Sequence, residues 1–140
     1  MIYGIGTDIV EIRRIKDILE NTPKFIEKVF GKDEIEYLRR RNLRPEYVAG
    51  RFAAKEAVAK AMGTGFSGFE IKDIEIESTA LGKPIAVLKG KAKLLIQKHG
   101  EYKIHLSISH GLDSAVAYAI LEVFESQNSN IKGNQEDWKL

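Results

Sequence analysis

Residues 51 to 65, Arg51-Phe-Ala-Ala-Lys-Glu-Ala-Val-Ala-Lys-Ala-Met-Gly-Thr-Gly65, limit what this chain can become more than any other stretch. Alanine has high helix propensity, no proline falls between Pro45 and Pro84, and Gly63 is a stop signal, so the segment reads as one helix. A surface helix gathers its charges on one side and its apolar residues on the other. Here Val48, Phe52, Ala53, Ala54, Ala57, Val58, Ala61 and Met62 cover most of the circumference, which is the pattern of a buried helix. Glu56 and Lys60 interrupt it, four residues apart and therefore on one face. Two readings stay open for that pair: a surface ion pair, or a carboxylate and an ammonium facing a cleft that holds a metal and an anion.

Such a helix needs a core around it, and 140 residues with 44% hydrophobic content supply one domain's worth. A net charge of +2 gives no global pull toward nucleic acid or anionic membranes, so any basic docking surface is local. The chain has no cysteine, which removes disulfides, thiolate metal sites and a thiol nucleophile from consideration. No run reaches the roughly 18 apolar residues of a membrane span. The N-terminus lacks a secretory pattern, so the expected location is the cytoplasm.

Met1 to Val10 alternates with strand period, and one face reads Ile2, Gly4, Gly6, Asp8, Val10. Glycines weaken a strand unless something must come close, so Gly4 and Gly6 are expected to clear space beside Asp8. Asp8 is then either a site residue or the N-cap of the next helix. Short helices follow over 11–20, 24–30 and 32–41, leaving Arg13, Arg14, Lys24 and Arg39 to Arg41 outside; the arginine run reads as a solvated face.

Gly63-Thr-Gly-Phe-Ser-Gly68 matches G-x-G-x-x-G, but it follows a helix instead of opening one, and a dinucleotide fold is rejected. A bulged strand is expected over 69–78, a turn at Gly82-Lys83-Pro84, a strand over 85–88, a helix over 91–99 and strands over 102–109 and 114–124. The last strand is apolar enough to lie mid-sheet. His110, beside Gly111 at a strand end, is a candidate for ligand contact, with a structural role as the alternative. Residues 125 to 140 turn polar and read as a mobile tail on a 1–124 domain, with Trp138 as the only anchor.

Four segments, Gly4-Ile-Gly-Thr-Asp8-Ile-Val-Glu11, Gly50-Arg-Phe-Ala-Ala-Lys55-Glu56-Ala-Val-Ala-Lys60, Gly82-Lys-Pro84 and Leu106-Ser-Ile-Ser-His110, resemble in order and spacing the holo-[acyl-carrier-protein] synthases. These are the small bacterial 4′-phosphopantetheinyl transferases. The resemblance implies an α+β fold: a small, mostly antiparallel sheet packed with a long central helix and several short ones. It also implies transfer of 4′-phosphopantetheine from coenzyme A to a serine of apo acyl carrier protein, releasing adenosine 3′,5′-bisphosphate, in fatty acid biosynthesis.

By the same resemblance Asp8 and Glu56 are Mg2+ ligands, and Lys60 is the phosphate-contacting catalytic lysine. Arg51, Lys60, Gly82, Lys83, Pro84 and His110 contact coenzyme A. Glu56 or a water takes the serine proton. Arg13, Arg14, Ile18 and Lys24 dock the acidic carrier, and the assembly is a homotrimer with active sites between chains. Ala57 stands where many relatives carry serine. The competing readings are a Mg2+-dependent phosphohydrolase and a non-catalytic module that binds acidic protein or RNA.

Overall fold

The computed structural model describes residues 1–124, and the expected tail lies outside the described residues. The buried helix is α4, Pro45–Ala61. It begins earlier than the alanine pattern indicated, because Pro45 occupies the first turn, where its missing N–H costs nothing. Gly63, at φ 85°, turns the chain out of it.

Before α4 come strand β1 (Ile2–Glu11) and helices α1 (Ile12–Asn21), α2 (Phe25–Val29) and α3 (Lys32–Arg40). After it come β2 (Ile74–Ser78), β3 (Pro84–Leu88), α5 (Gly90–Gln97), β4 (Glu101–His110) and β5 (Ser114–Phe124). One expectation fails locally. The segment read as a bulged strand near Asp73 is a single 3-10 turn, Ile71–Asp73, and β2 starts only at Ile74. Glu70 and Asp73 bond reciprocally across that turn, which closes it as a cap and takes the backbone out of extended geometry.

The main sheet is antiparallel in the order β1-β5-β4, with the alanine-rich strand in the middle as its composition indicated. The second sheet is the hairpin β2-β3. With α4 laid across the main sheet, the arrangement is α+β. Alternation on β5 sends Ala115, Ala117, Ala119, Leu121 and Val123 inward. Three alanines in that row let α4 approach closely, and each is essentially inaccessible to water.

The two glycines of β1 take this approach further. A Cβ on Gly4 would lie 2.0 Å from the carbonyl oxygen of Ala61, and one on Gly6 1.9 Å from that of Ala57. The space they clear is therefore filled by the backbone of α4 itself. The opposite face of the sheet is open and apolar: Ile5 and Ile9 are 67% and 68% exposed, with Tyr118 and Ile120 beside them on β5.

Candidate active site

Asp8 follows Gly6 on the inward face of β1, so the close approach of α4 delivers it to the helix flank that bears Glu56 and Lys60. Asp8 belongs to the strand, and the N-cap of α1 is Glu11, so the capping alternative falls. The ammonium of Lys60 donates to Asp8 Oδ1 at 3.2 Å and to the carbonyl of Thr7 at 3.0 Å. The Asp8 side chain is mostly covered, whereas Lys60 is half exposed.

The Glu56 carboxyl is pushed above its ordinary pKa, first by burial and then by the charge of Asp8, while Lys60 pulls it back. A carboxylate made costly to ionise by burial and by a second carboxylate beside it, with room for solvent on one side, fits a hard divalent cation held by few protein oxygens. Among the described residues no three His, Cys, Asp or Glu side chains gather into a metal cluster, and a Mg2+ site completed by substrate phosphates and water needs only two carboxylates.

A second feature lies one and a half turns back along α4. Arg51 is five residues before Glu56, about 7.5 Å along the axis. It lines a cavity of about 150 Å³ together with Tyr37, Glu46, Tyr47, Gly50, Pro84, Ile108 and His110, and Glu46 makes no ion pair with it. Arg51 is only 6% exposed, yet no carboxylate among the described residues pairs with it. Its Nη2 donates to Ser78 Oγ at 2.6 Å and its Nη1 to the Glu77 carbonyl at 3.4 Å. A buried guanidinium satisfied only by neutral groups leaves its charge available to an anion in the cavity.

Tyr37 was not anticipated from the sequence. The Arg51 guanidinium lies 4.0 Å from its ring centroid and that of Arg41 lies 3.7 Å from it. Tyr47 meets His110 edge to face, with ring centroids 5.9 Å apart. The arginine run of 39–41 therefore does not behave as one solvated face. Arg40 pairs with Glu36 in solvent at 2.6 Å, whereas Arg41 is turned onto Tyr37 and donates to its carbonyl at 3.3 Å.

Of the expected nucleotide-side residues, Arg51, Pro84 and His110 share the cavity. Gly82, at φ 87°, and Lys83, whose N–H is held by Thr79 Oγ1 at 3.0 Å, form the turn leading into Pro84 and do not line it. Arg13, Arg14 and Ile18 line an open groove along α1, in company with Glu11 and Asp17. Lys24 lies outside that groove, at the start of α2.

Comparison with known proteins identifies the family. The profile of the 4′-phosphopantetheinyl transferase superfamily matches residues 4–120. The chain is 64% identical over 132 residues to a holo-[acyl-carrier-protein] synthase of Clostridium kluyveri, covering 94% of this chain and 98% of that protein. The crystal structure of the synthase from Neisseria meningitidis superposes with a TM-score of 0.80 at 35% identity, covering 87% of this chain and 99% of the other. That of a Bacillus anthracis synthase, described in complex with CoA (3′,5′-ADP), superposes with a TM-score of 0.74 at 39% identity, covering 89% and 99%. A profile spanning every element that builds the site, with near-complete mutual coverage, leaves one conclusion: the chain belongs to the 4′-phosphopantetheinyl transferase superfamily, among the holo-[acyl-carrier-protein] synthases.

Proposed function

We propose that the chain transfers 4′-phosphopantetheine from coenzyme A to a serine hydroxyl of apo acyl carrier protein, releasing adenosine 3′,5′-bisphosphate. The observation that supports this most is the meeting of Asp8, Glu56 and Lys60 on the same helix that presents a buried, carboxylate-free Arg51 to a cavity. A ligand with a pyrophosphate at one end and a further phosphate at the other matches that row of charges.

Asp8 and Glu56 would hold Mg2+, whose contribution when bound is to neutralise the pyrophosphate. Lys60 stabilises the departing phosphate and can give it a proton. Glu56, whose proton affinity is raised by burial and by Asp8, is our candidate to accept the serine proton. Arg51 and His110 bind the nucleotide end, with Pro84 as an apolar wall and Gly82 and Lys83 beside it. Arg13, Arg14, Ile18 and Lys24 form the carrier-docking surface, in which positive charge meets an acidic partner.

The 1–124 unit is the catalytic domain, and we infer that it works as a homotrimer in the cytoplasm, serving fatty acid biosynthesis. The open apolar face around Ile5, Ile9, Tyr118 and Ile120 supports association, since exposed patches of this kind mark protein contacts. No helix among the described residues is long and apolar enough to cross a membrane.

The test is the intact mass of apo carrier protein after incubation with the chain, coenzyme A and Mg2+, with and without chelator. Transfer adds one phosphopantetheine group to the carrier, and chelator prevents it. An unmodified carrier refutes the assignment. Loss of phosphate from coenzyme A with an unmodified carrier would point to the phosphohydrolase. Carrier binding with no chemistry, unaffected by Asp8→Ala, would point to the binding module.

A further inference from the structure

Lys55 precedes Glu56 in the central motif, and no step described above uses it. Its side chain is fully buried. The ammonium donates to Glu34 Oε1 at 2.8 Å, to the Val29 carbonyl at 2.9 Å and to the Ile74 carbonyl at 2.7 Å. Glu34 is buried as well, and its oxygens are shared out: Oε1 also accepts the Gly31 N–H at 3.0 Å, and Oε2 accepts the Ile76 N–H at 3.1 Å. Two side chains thus join α4, the end of α2, the first turn of α3 and strand β2.

Burying a charged pair is a poor route to stability, because desolvation consumes much of the attraction and apolar residues of equal volume commonly do as well. What such a pair supplies is direction. Here the direction falls on β2, which is fastened a second time by Arg51, one turn earlier on α4, through Ser78 and the Glu77 carbonyl. β2 in turn holds β3 in antiparallel register, Ile76 against Ala86 and Ser78 against Pro84. A continuous set of hydrogen bonds therefore runs from Lys55 to Pro84, one wall of the cavity that Arg51 and His110 share.

We infer that Lys55 and Glu34 are positioning residues for the transfer reaction. They hold the β2-β3 hairpin on α4 so that Pro84 and the Gly82-Lys83 turn stay opposite Arg51 and His110 when coenzyme A binds. Neither residue touches the substrate. The inference rests on the reading of that cavity as the coenzyme A site.

The double variant Lys55→Met, Glu34→Met leaves no orphan charge in the core but removes every directional bond. Its KM for coenzyme A is expected to rise about tenfold or more while kcat at saturating coenzyme A stays within about twofold of the unaltered chain. Amide exchange at Ile85, which pairs with Glu77 across the hairpin and is bonded to neither replaced side chain, is expected to quicken in the free variant and to return toward the original rate when coenzyme A is added. A merely structural role lowers the folded fraction, and so kcat per total protein, without moving KM. An unmoved KM for coenzyme A in the folded variant, or an Ile85 exchange rate equal to that of the unaltered chain, overturns the inference. Should the double variant fail to fold, Glu34→Gln, which keeps the shape of the side chain, carries the same comparison with the same two outcomes. Absence of transfer by the unaltered chain would sink the function itself, whereas normal transfer with an unmoved KM in the variant sinks only the positioning role.

Discussion

Replacing Gly6 with alanine is the sharpest single perturbation this site allows, because the added methyl points at backbone and nothing flexible can move aside. Its Cβ would sit 1.9 Å from the Ala57 carbonyl oxygen and 2.8 Å from the Ala61 nitrogen. Ordinary contact begins at 3.4 Å, so strand and helix must part by about 1.5 Å. Asp8 is two residues along the same face of the strand. Its 3.2 Å contact with Lys60 would open beyond the roughly 4 Å limit of an ion pair, and its oxygens would retreat from Glu56 by a similar distance. Overpacking of this kind costs about 1–3 kcal/mol of stability. Misplacing reacting groups by about 1 Å costs about a hundredfold in rate.

Gly6→Ala is therefore expected to remain folded at room temperature with a lowered Tm and to lose about a hundredfold in kcat/KM for carrier modification. The assay is intact-mass kinetics beside thermal melting. Gly111→Ala is the control, since no atom lies within 4 Å of a Cβ added there. A folded Gly6→Ala variant within about threefold of the original kcat/KM would refute the idea that backbone contact between β1 and α4 sets the spacing of the two carboxylates.

Other expectations follow from the same geometry. Glu56 has its pKa raised in the fold, so between the ordinary carboxylate value and the raised one the native state holds more protons than the unfolded chain, and stability falls as pH rises through that window. In chelator, Glu56→Gln should thus raise Tm at neutral pH, with the gain vanishing on acidification toward about pH 4; a gain that grows on acidification would contradict the sign. Tyr37→Leu removes the ring on which Arg41 and Arg51 lie, an interaction of about 0.5–2 kcal/mol, and should raise KM for coenzyme A severalfold, while Tyr37→Phe should not. Ile9→Asp, on the open sheet face, tests the proposed homotrimer: it should leave circular dichroism unchanged and shift sedimentation to a smaller species, since burying an isoleucine there would contribute about 1.5–3 kcal/mol to association.

How far the sequence announces this molecule depends on whether a feature is local. The buried character of α4, the central place of β5 and the turn at Gly63 follow from composition and spacing within each segment. Gly4 and Gly6 marked a close approach beside Asp8, but the pairing of Asp8 with Glu56 came from the family resemblance, and the occupant of the cleared space, helix backbone, has no signature of its own. Arg41, the C-cap of α3, is four residues after Tyr37, which does hint at their contact, but the approach of Arg51 to the same ring is purely tertiary. Nothing in the sequence singles out Glu34, because an acidic residue in a helix's first turn suits the dipole whatever else it touches. Its bond to Lys55, 21 residues later, depends on how α3 and α4 pack. The slip at Asp73 has the same origin: apolar residues at 71, 74 and 76 fit an interrupted strand and a 3-10 turn equally well.

The pairing of β1 with β5 joins Asp8 to Ala117 and Met1 to Val123, across nearly the whole described length. On a ribosome, the segment that bears the first carboxylate emerges long before the strand that must hold it. Until then its backbone N–H and C=O groups lack their partners, open to pairing with other chains. Closing so wide a loop is slow in itself. Synthesis rate and chaperone supply should for this reason affect the yield of active protein.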